Sequence, residues 1–395
     1  MTDILAGITV LDLSRVLAGP YAAMLLSDLG ATVIKIEQPS VGDEARGFGP
    51  FINGVSGYFV SVNRGKKGVT LDLKHPRGRE VFLRLAQKAD VLVENFRTGA
   101  MERLGIGYGA LSAANPRLIY LSLTGFGRTG PRSPDPAYDM IIQGMSGIMS
   151  VTGEPSGRPV RVGTSIGDLS AALFGVIGVA LALFRRERTG KGGLVDIAML
   201  DSLFSLLENA VMRAAVEGAP PAPLGTRHST IAPFDVYPTK DGAMVLCAGN
   251  DVLWGKFLDV AGRPDLKGDV RFSSNRLRCE NVEALTAVIT VILSERTTAE
   301  WIEVLRAADV PAGPLNNVAD AMRDPQIIAR GMLSAIEQPG AGTFTVAGSP
   351  VRIDDEPPPA PKPAPALGEH TEKVLKDMLG MGEGEIGELR KEKAI

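Results

Sequence analysis

The stretch from Gly7 to Glu37, GITVLDLSRVLAGPYAAMLLSDLGATVIKIE, decides how the chain is read. GITVLDLS is an apolar run of strand length. GPYAAMLLSDLG follows as a helix, with Pro20 in its first turn and Gly30 past its end. ATVIKIE is a second strand that closes on Glu37. Strand, helix and strand in direct succession form a βαβ unit. The alternation continues with a helix over PRGREVFLRLAQKA, a strand DVLVENF and a further strand RLIYLSLTGFG. The expected fold class is therefore α/β, a Rossmann-like parallel sheet covered by helices. An acid at the end of the second strand suits ribose binding, but the loop before the helix does not suit a dinucleotide. SRVLAG stands where GxGxxG would let a pyrophosphate approach the backbone, so NAD and FAD are not expected there.

Downstream, the text is helical from about Asp201 until EGAPPAPLG breaks it, and 201–225 reads as a linker. A smaller α/β segment follows near 226–325. It opens with FDVYPTKDGAMVLCAG, two strand-like runs around a Lys-Asp-Gly turn, and continues with helices around DVLWGKFLDVAG, NVEALTAVITVILSE and TAEWIEVLRAADV. Beyond DPQIIARGM the chain is strand-like again. It then passes through the proline-rich DDEPPPAPKPAPALG, expected as an extended surface strap, and ends in a charged helix that includes EHTEKVLKDMLG.

Composition excludes several classes. The 395 residues exceed the ~250–300 at which single cores stop growing, so two or three domains are expected. A hydrophobic share of 45%, a charged share of 22% and a net charge of −3 give no basic bias towards nucleic acid or anionic membrane. The start, MTDILAGITVLDLS, lacks the basic and apolar regions of a secretory signal, and a cytoplasmic location is expected. Cys247 and Cys279 show no CxxC or zinc spacing and read as small hydrophobes. His75, His228 and His370 are far apart and suggest no metal site. Neither GxSxG nor a Walker lysine loop is present.

One carboxylate stands out. Asp168 precedes sixteen uncharged residues, Leu169 to Phe184, fewer than the ~20 that cross a bilayer, so the run reads as a buried helix of the α/β core. An aspartate ahead of a helix is an ordinary N-cap. The small residues of SIGDLSAALFG would equally let a ligand approach, beside the free N–H groups of a helix expected to begin at Leu169. The stretch alone leaves cap and reacting group both open.

Six segments in order resemble the class III CoA-transferases, the group that includes formyl-CoA transferase and carnitine CoA-transferase. They are LAGITVLDLSRVLAGPYAAMLLSDLGATVIKIEQPSVGD, NRGKKGVTLDLKHPRGRE, DVLVENFRTGAMERLG, GDLSAALFG with RRERTGKG, VPAGPLNNVADAMRDPQ and LGEHTEKVL. The resemblance puts the family's nucleophile on Asp168. It implies attack on an acyl-CoA thioester, an aspartyl anhydride, an aspartyl-CoA thioester, and transfer of CoA to a free carboxylic acid. It also implies that CoA or acyl-CoA is a substrate, with no permanently bound cofactor and no metal. Val16, Leu17 and Ala18 would lie beside the pantetheine arm; Leu17 stands where formyl-CoA transferase has glutamine. Leu71, Lys74, Asn95, Phe96 and Arg97 would surround the adenine and pantetheine, and Arg103 would meet the CoA phosphates.

Tyr138 and Asp139 would also lie at CoA, and Tyr138 separates two activities. The related α-methylacyl-CoA racemases carry a histidine there as one of two bases, and a phenol with a pKa of ~10 is a poor replacement. Arg15, Arg46, Arg227 and His228 fall in segments that could approach the acyl group. A glycine-rich loop of formyl-CoA transferase is absent from LGTRHSTIAPFDVYPT, which disfavours oxalate and formyl-CoA and leaves succinyl-CoA, with a dicarboxylate or hydroxy-acid acceptor, as the expected pair. An acyl-CoA racemase and a non-catalytic CoA-binding protein remain the alternatives. The family fold implies a large domain from 1–200 and 351–395, the 201–225 linker, a small domain at 226–325, a return linker at 326–350, and an interlocked homodimer that contacts neither nucleic acid nor membrane.

Overall fold

The computed structural model describes residues 4–356 and 360–395. Met1, Thr2 and Asp3 at the start, and Pro357, Pro358 and Pro359 of the proline-rich strap, lie outside the described residues. The chain forms two units. The larger comprises Met1–Met149, Arg161–Val216 and Pro325–Ile395, and the smaller Ser150–Val160 and Glu217–Asp324.

In the larger unit the strands are β1 (Thr9–Asp12), β2 (Thr32–Glu37), the short pair β3 (Phe51–Ile52) and β4 (Val55–Ser56), β5 (Lys67–Thr70), β6 (Val91–Glu94), β7 (Ile119–Thr124) and β8 (Gly193–Ala198). Six of them form one sheet in the order β5-β2-β1-β6-β7-β8, every pairing parallel. The order reverses between β1 and β6, and the carboxyl ends of those two strands flank the crevice where such sheets bind ligands. Alternation along the strands divides the core. Leu11, Ile34 and Leu92 face the helices Pro76–Ala86 and Thr371–Leu379, whereas Val10, Val33 and Val91 face the helices Ala18–Asp28 and Ile166–Thr189. The helix Thr371–Leu379 is seated on the edge strand by the Thr70 N–H, which donates to Thr371 Oγ1 at 3.0 Å. Strands β5 and β8 follow the charged runs NRGK and RRERTGK, and the sequence reading did not single them out.

The helix Ile166–Thr189 is long and apolar enough to cross a membrane by length and composition. Here one side, Ala171, Gly175, Val179 and Ala182, is buried in the larger unit. Glycine permits this close approach: a Cβ on Gly178 would stand 2.5 Å from Val195 Cγ1 on β8. Gly190 closes the helix in the left-handed conformation, φ +70°.

The smaller unit carries an antiparallel sheet of β9 (Phe234–Pro238), β10 (Ala243–Cys247) and β11 (Ala312–Pro314), in the order β11-β10-β9. Its core includes Trp254, Phe257, Leu285 and Trp301. The helices Met199–Ser205 and Glu208–Glu217 occupy part of the 201–225 stretch read as a linker. The 326–350 stretch, read as a return linker, belongs to the larger unit and holds the hairpin of β12 (Leu333–Gln338) and β13 (Gly342–Ala347), whose Phe344 packs with Phe59 of that same unit.

Beneath the crevice lies a buried charge pair. The Lys66 ammonium donates to Asp12 Oδ2 at 2.7 Å, Pro20 O at 2.9 Å and Asn63 Oδ1 at 2.9 Å, so all three of its protons are used. Burial lowers the Lys66 ammonium to about 8 against the pull of Asp12. For Asp12, burial pushes upward, yet Lys66 and Lys35 together hold the carboxyl below its ordinary range. Removing one member of such a pair leaves the other charged and unpaired in a dry site. Asp12→Ala is therefore expected to cost ~3–5 kcal/mol in urea unfolding, and adding Lys66→Met to it should recover part of that loss. A loss below ~1 kcal/mol for Asp12→Ala would show that the pair does not hold the sheet.

Candidate active site

The crevice between β1 and β6 opens into a cleft lined by the turn after β1 (Arg15, Val16, Leu17, Ala18), the turn after β6 (Asn95, Phe96, Arg97), and Tyr138 and Asp168. The two turns are tied together by one side chain. Asn95 Oδ1 accepts from the Arg15 N–H at 2.8 Å, and Asn95 Nδ2 donates to the Arg15 carbonyl at 2.8 Å. The Arg15 guanidinium lies over the Phe96 ring, 4.8 Å from its centroid. Phe96 is set in turn by Glu94, the last residue of β6. The Glu94 carboxylate accepts from the Phe96 N–H at 2.8 Å and from Ser122 Oγ at 2.5 Å. Burial pushes Glu94 up to about 7 despite those two bonds.

Asp168 is the third residue of its helix, which begins at Ile166 and not at Leu169. It is not the N-cap. That position belongs to Ser165, whose side chain makes no capping bond. The capping carboxylate comes from another helix: Asp139 Oδ1 accepts from the Gly167 N–H at 2.8 Å, and Asp139 Oδ2 accepts from Gln143 Nε2 at 2.7 Å. Asp139 is buried and does not line the cleft, although the resemblance places it beside CoA. Because Asp139 already answers the helix terminus, the Asp168 carboxylate is left facing the cleft without a hydrogen bond among the described residues. Half-buried and unbonded, it is pushed up to about 7, first by burial and then by the nearby Asp139.

The remaining candidates separate by position. Leu71, Lys74 and Phe96 line an adjoining cleft, which meets the first along Arg15, Glu44 and Phe96. Leu71 is otherwise a core residue, and Lys74 is exposed. Arg103 is exposed on the short helix Ala100–Arg103 and lines neither cleft. Tyr138 is 74% exposed at the cleft mouth. Arg46 is bound to Glu37 at 2.7 Å and stacks on Phe59, and Arg227 and His228 belong to the smaller unit.

Sequence reasoning missed Glu94 and Tyr58. Tyr58 follows Gly57 in a seven-residue helix, Gly57–Asn63, and is pushed up to about 12 by burial, then by Asp168, Asp43 and Asp139. Its phenol is thus a neutral hydrogen-bond donor close enough to feel Asp168. Tyr58 lines a third cleft, which shares Leu17 with the first, also presents Ser61, Arg64, Arg161 and Thr164, and has no carboxylate in its lining. Arg64 is already paired with Asp28 at 2.7 Å. Arg161 is exposed, and among the described residues its Nε donates to the Val162 carbonyl at 3.1 Å.

Comparison with known proteins agrees with this architecture. The family model described as CoA-transferase family III matches residues 5–371. An acetyl-CoA:oxalate CoA-transferase from Acetobacter aceti is 46% identical, over 94% of this chain and 95% of that protein. A succinyl-CoA:mesaconate CoA-transferase from Haloarcula hispanica is 42% identical, over 95% and 96%. The crystal structure of a CAIB/BAIF family protein from Brucella suis superimposes with a TM-score of 0.83 at 39% identity, covering 95% of this chain and 99% of that one. The chain belongs to the class III CoA-transferases and is an enzyme of that class.

Proposed function

We propose that this enzyme moves CoA from an acyl-CoA donor, succinyl-CoA foremost, to a free dicarboxylic acid, with Asp168 as the nucleophile. The observation that carries this reading is the Asp168 carboxylate, half-buried, unbonded and raised to about 7 in a cleft at the sheet's switch point. The adenine end of CoA would lie towards Lys74 and Arg103, and the pantetheine would pass the Arg15–Phe96 stack to reach Asp168. A tyrosine at position 138, where the related racemases carry a histidine, favours transfer over α-proton removal.

The sequence of bonds balances without a net proton. An Asp168 oxygen bonds to the thioester carbon, the C–S bond breaks, and CoA thiolate leaves. The thiolate attacks the Asp168 carbonyl carbon of the anhydride and releases the donor acid. The acceptor carboxylate attacks the aspartyl-CoA thioester carbon, the C–S bond breaks to give a second anhydride and CoA thiolate, and thiolate attack on the acceptor carbon restores the Asp168 carboxylate. The Gly167 N–H is engaged by Asp139, so in this reading the helix-terminal N–H of Asp168 itself would meet oxyanions near this carboxylate.

For the acids, the cleft beside Leu17 is informative: cations and hydroxyls without a carboxylate suit the far carboxylate of a diacid, with Arg161 as its partner. The two relatives above are named for oxalate and mesaconate, both diacids. The missing glycine-rich loop weighs against oxalate and the 46% identical relative weighs for it, so oxalate belongs in the assay. The homodimer is proposed on the outer face of Ile166–Thr189, where Leu173, Ile177, Leu181 and Phe184 are all exposed at helical spacing. A second copy would cover them.

Three measurements test the reading. Succinyl-CoA alone is expected to acylate Asp168, trapped by hydroxylamine as a hydroxamate on its peptide, and an unmodified Asp168 during turnover would end the mechanism. Because the folded carboxyl titrates near 7 and only the carboxylate attacks, kcat/KM for the acyl-CoA should fall about tenfold from its plateau by pH 6. A flat profile between pH 5.5 and 8 would contradict it. Arg161→Gln is expected to raise KM for succinyl-CoA and diacids about 10- to 50-fold while sparing acetyl-CoA, the loss of one charge-assisted pair. Equal effects on acetyl-CoA and succinyl-CoA would remove Arg161 from this role.

A further inference from the structure

The turn Ser14–Val16 is held at every backbone polar group up to the Val16 N–H. The Ser14 N–H donates to Asp12 Oδ1 at 3.0 Å, and the Ser14 carbonyl accepts from Lys35 Nζ at 3.0 Å. Asn95 takes both backbone groups of Arg15, as described above. The Val16 N–H donates to Asp43 Oδ1 at 3.1 Å. Val16 itself has φ +66°, a left-handed conformation that a β-branched residue adopts at a cost of ~1–3 kcal/mol. Glycine would take it freely. The helix Ala18–Asp28 begins two residues later, so the turn has no slack in which to relax.

We propose that Asp43, fixed by the buried ammonium of Lys35, is a positioning residue for catalysis: it holds Val16 in its left-handed conformation and so sets the Val16–Ala18 edge of the cleft that Asp168 shares. The carboxylate is well placed for this. Asp43 Oδ1 also accepts from the Ala45 N–H at 2.9 Å, and Asp43 Oδ2 lies 2.8 Å from Lys35 Nζ with both side chains fully buried. The Asp43 backbone is anchored by its own N–H, which donates to Glu37 Oε1 at 3.0 Å. Glu37 is gripped by Arg46 through two bonds, at 2.8 and 2.7 Å. Asp43 therefore cannot follow Val16 if the turn relaxes; it acts on the cleft through that turn, not by contact with the reacting atoms.

The test is a double-mutant cycle on coenzyme A binding, read by calorimetry on the full chain with Asp43→Asn, Val16→Gly and the two together. Releasing a turn strained by ~1–3 kcal/mol should weaken the coenzyme A Kd roughly 10- to 100-fold when Asp43→Asn is made in the parent. In the Val16→Gly background the same change should cost no more than about threefold, because glycine needs no holding. Equal losses in the two backgrounds, or no loss in the parent, would overturn the proposal, since a general folding role for Asp43 would not depend on the residue at 16. Should Asp43→Asn alone fail to fold, the double variant is expected to fold and bind. A double variant that also fails to fold would overturn it as well.

Discussion

Two lysine ammonium groups buried beneath the carboxyl ends of β1 and β2 constrain what stands above them. Lys66 is matched to Asp12 and Lys35 to Asp43, and all four side chains are removed from water. Isolated charges could not be buried there; paired, they can be. The consequence is geometric. Asp12 and Asp43 each hold a carboxylate oxygen against the turn that follows β1, so the chain leaves the strand in one conformation. A parallel sheet opens a crevice at its switch point whatever the side chains are. The charge network gives this crevice a fixed wall.

On the opposite side of the cleft, two carboxylates divide one helix terminus between them. Asp139 accepts from the Gly167 N–H and from Gln143, and is thereby made part of the scaffold. Asp168, one residue further along the helix, is denied those bonds and faces the cleft under burial and the repulsion of Asp139. Similar groups set apart by environment are how one site keeps a structural anion and a reactive one. Of the two roles the sequence left open, cap or reacting group, the cap falls to a residue almost thirty positions away.

This also shows what was legible in the sequence and what was not. The β1–helix–β2 unit could be read because its periodicity and its proline and glycine punctuation are local, and the structure places Thr9–Asp12, Ala18–Asp28 and Thr32–Glu37 within that text. The cleft residues after β1 and β6 were reachable only through resemblance to a family, since nothing in VLAG or ENFR announces a site. The start of the Asp168 helix was placed three residues late because its cap is tertiary: no spacing rule links Asp139 to Gly167, Asp43 to Val16, or Asn95 to Arg15. β5 and β8 escaped notice because glycine and charge next to a short strand obscure the period-two pattern. Buried lysines run against composition-based expectation and become intelligible only once their partners are in view.

The raised basicity of Asp168 bears on more than its charge state. In the proposed anhydride, CoA thiolate can attack either carbonyl carbon. Attack on the donor's carbon expels Asp168 and returns to the starting complex, whereas attack on the Asp168 carbon expels the donor acid and moves forward. The less basic carboxylate leaves more readily. An ordinary free acid has a carboxyl near ~4, whereas Asp168 is held near 7 by burial and by Asp139. On that proposal, the environment that raises Asp168 would also bias the anhydride towards the aspartyl-CoA thioester. When the acceptor's anhydride forms, that bias works against product release, unless the acceptor's carbonyl is the better exposed to the thiolate. Position must then decide the second half of the reaction. In the proposed cycle a cleft with a fixed wall, and Arg161 for the far carboxylate of the acid, would supply that control, so that electronic preference and geometry would act on successive steps.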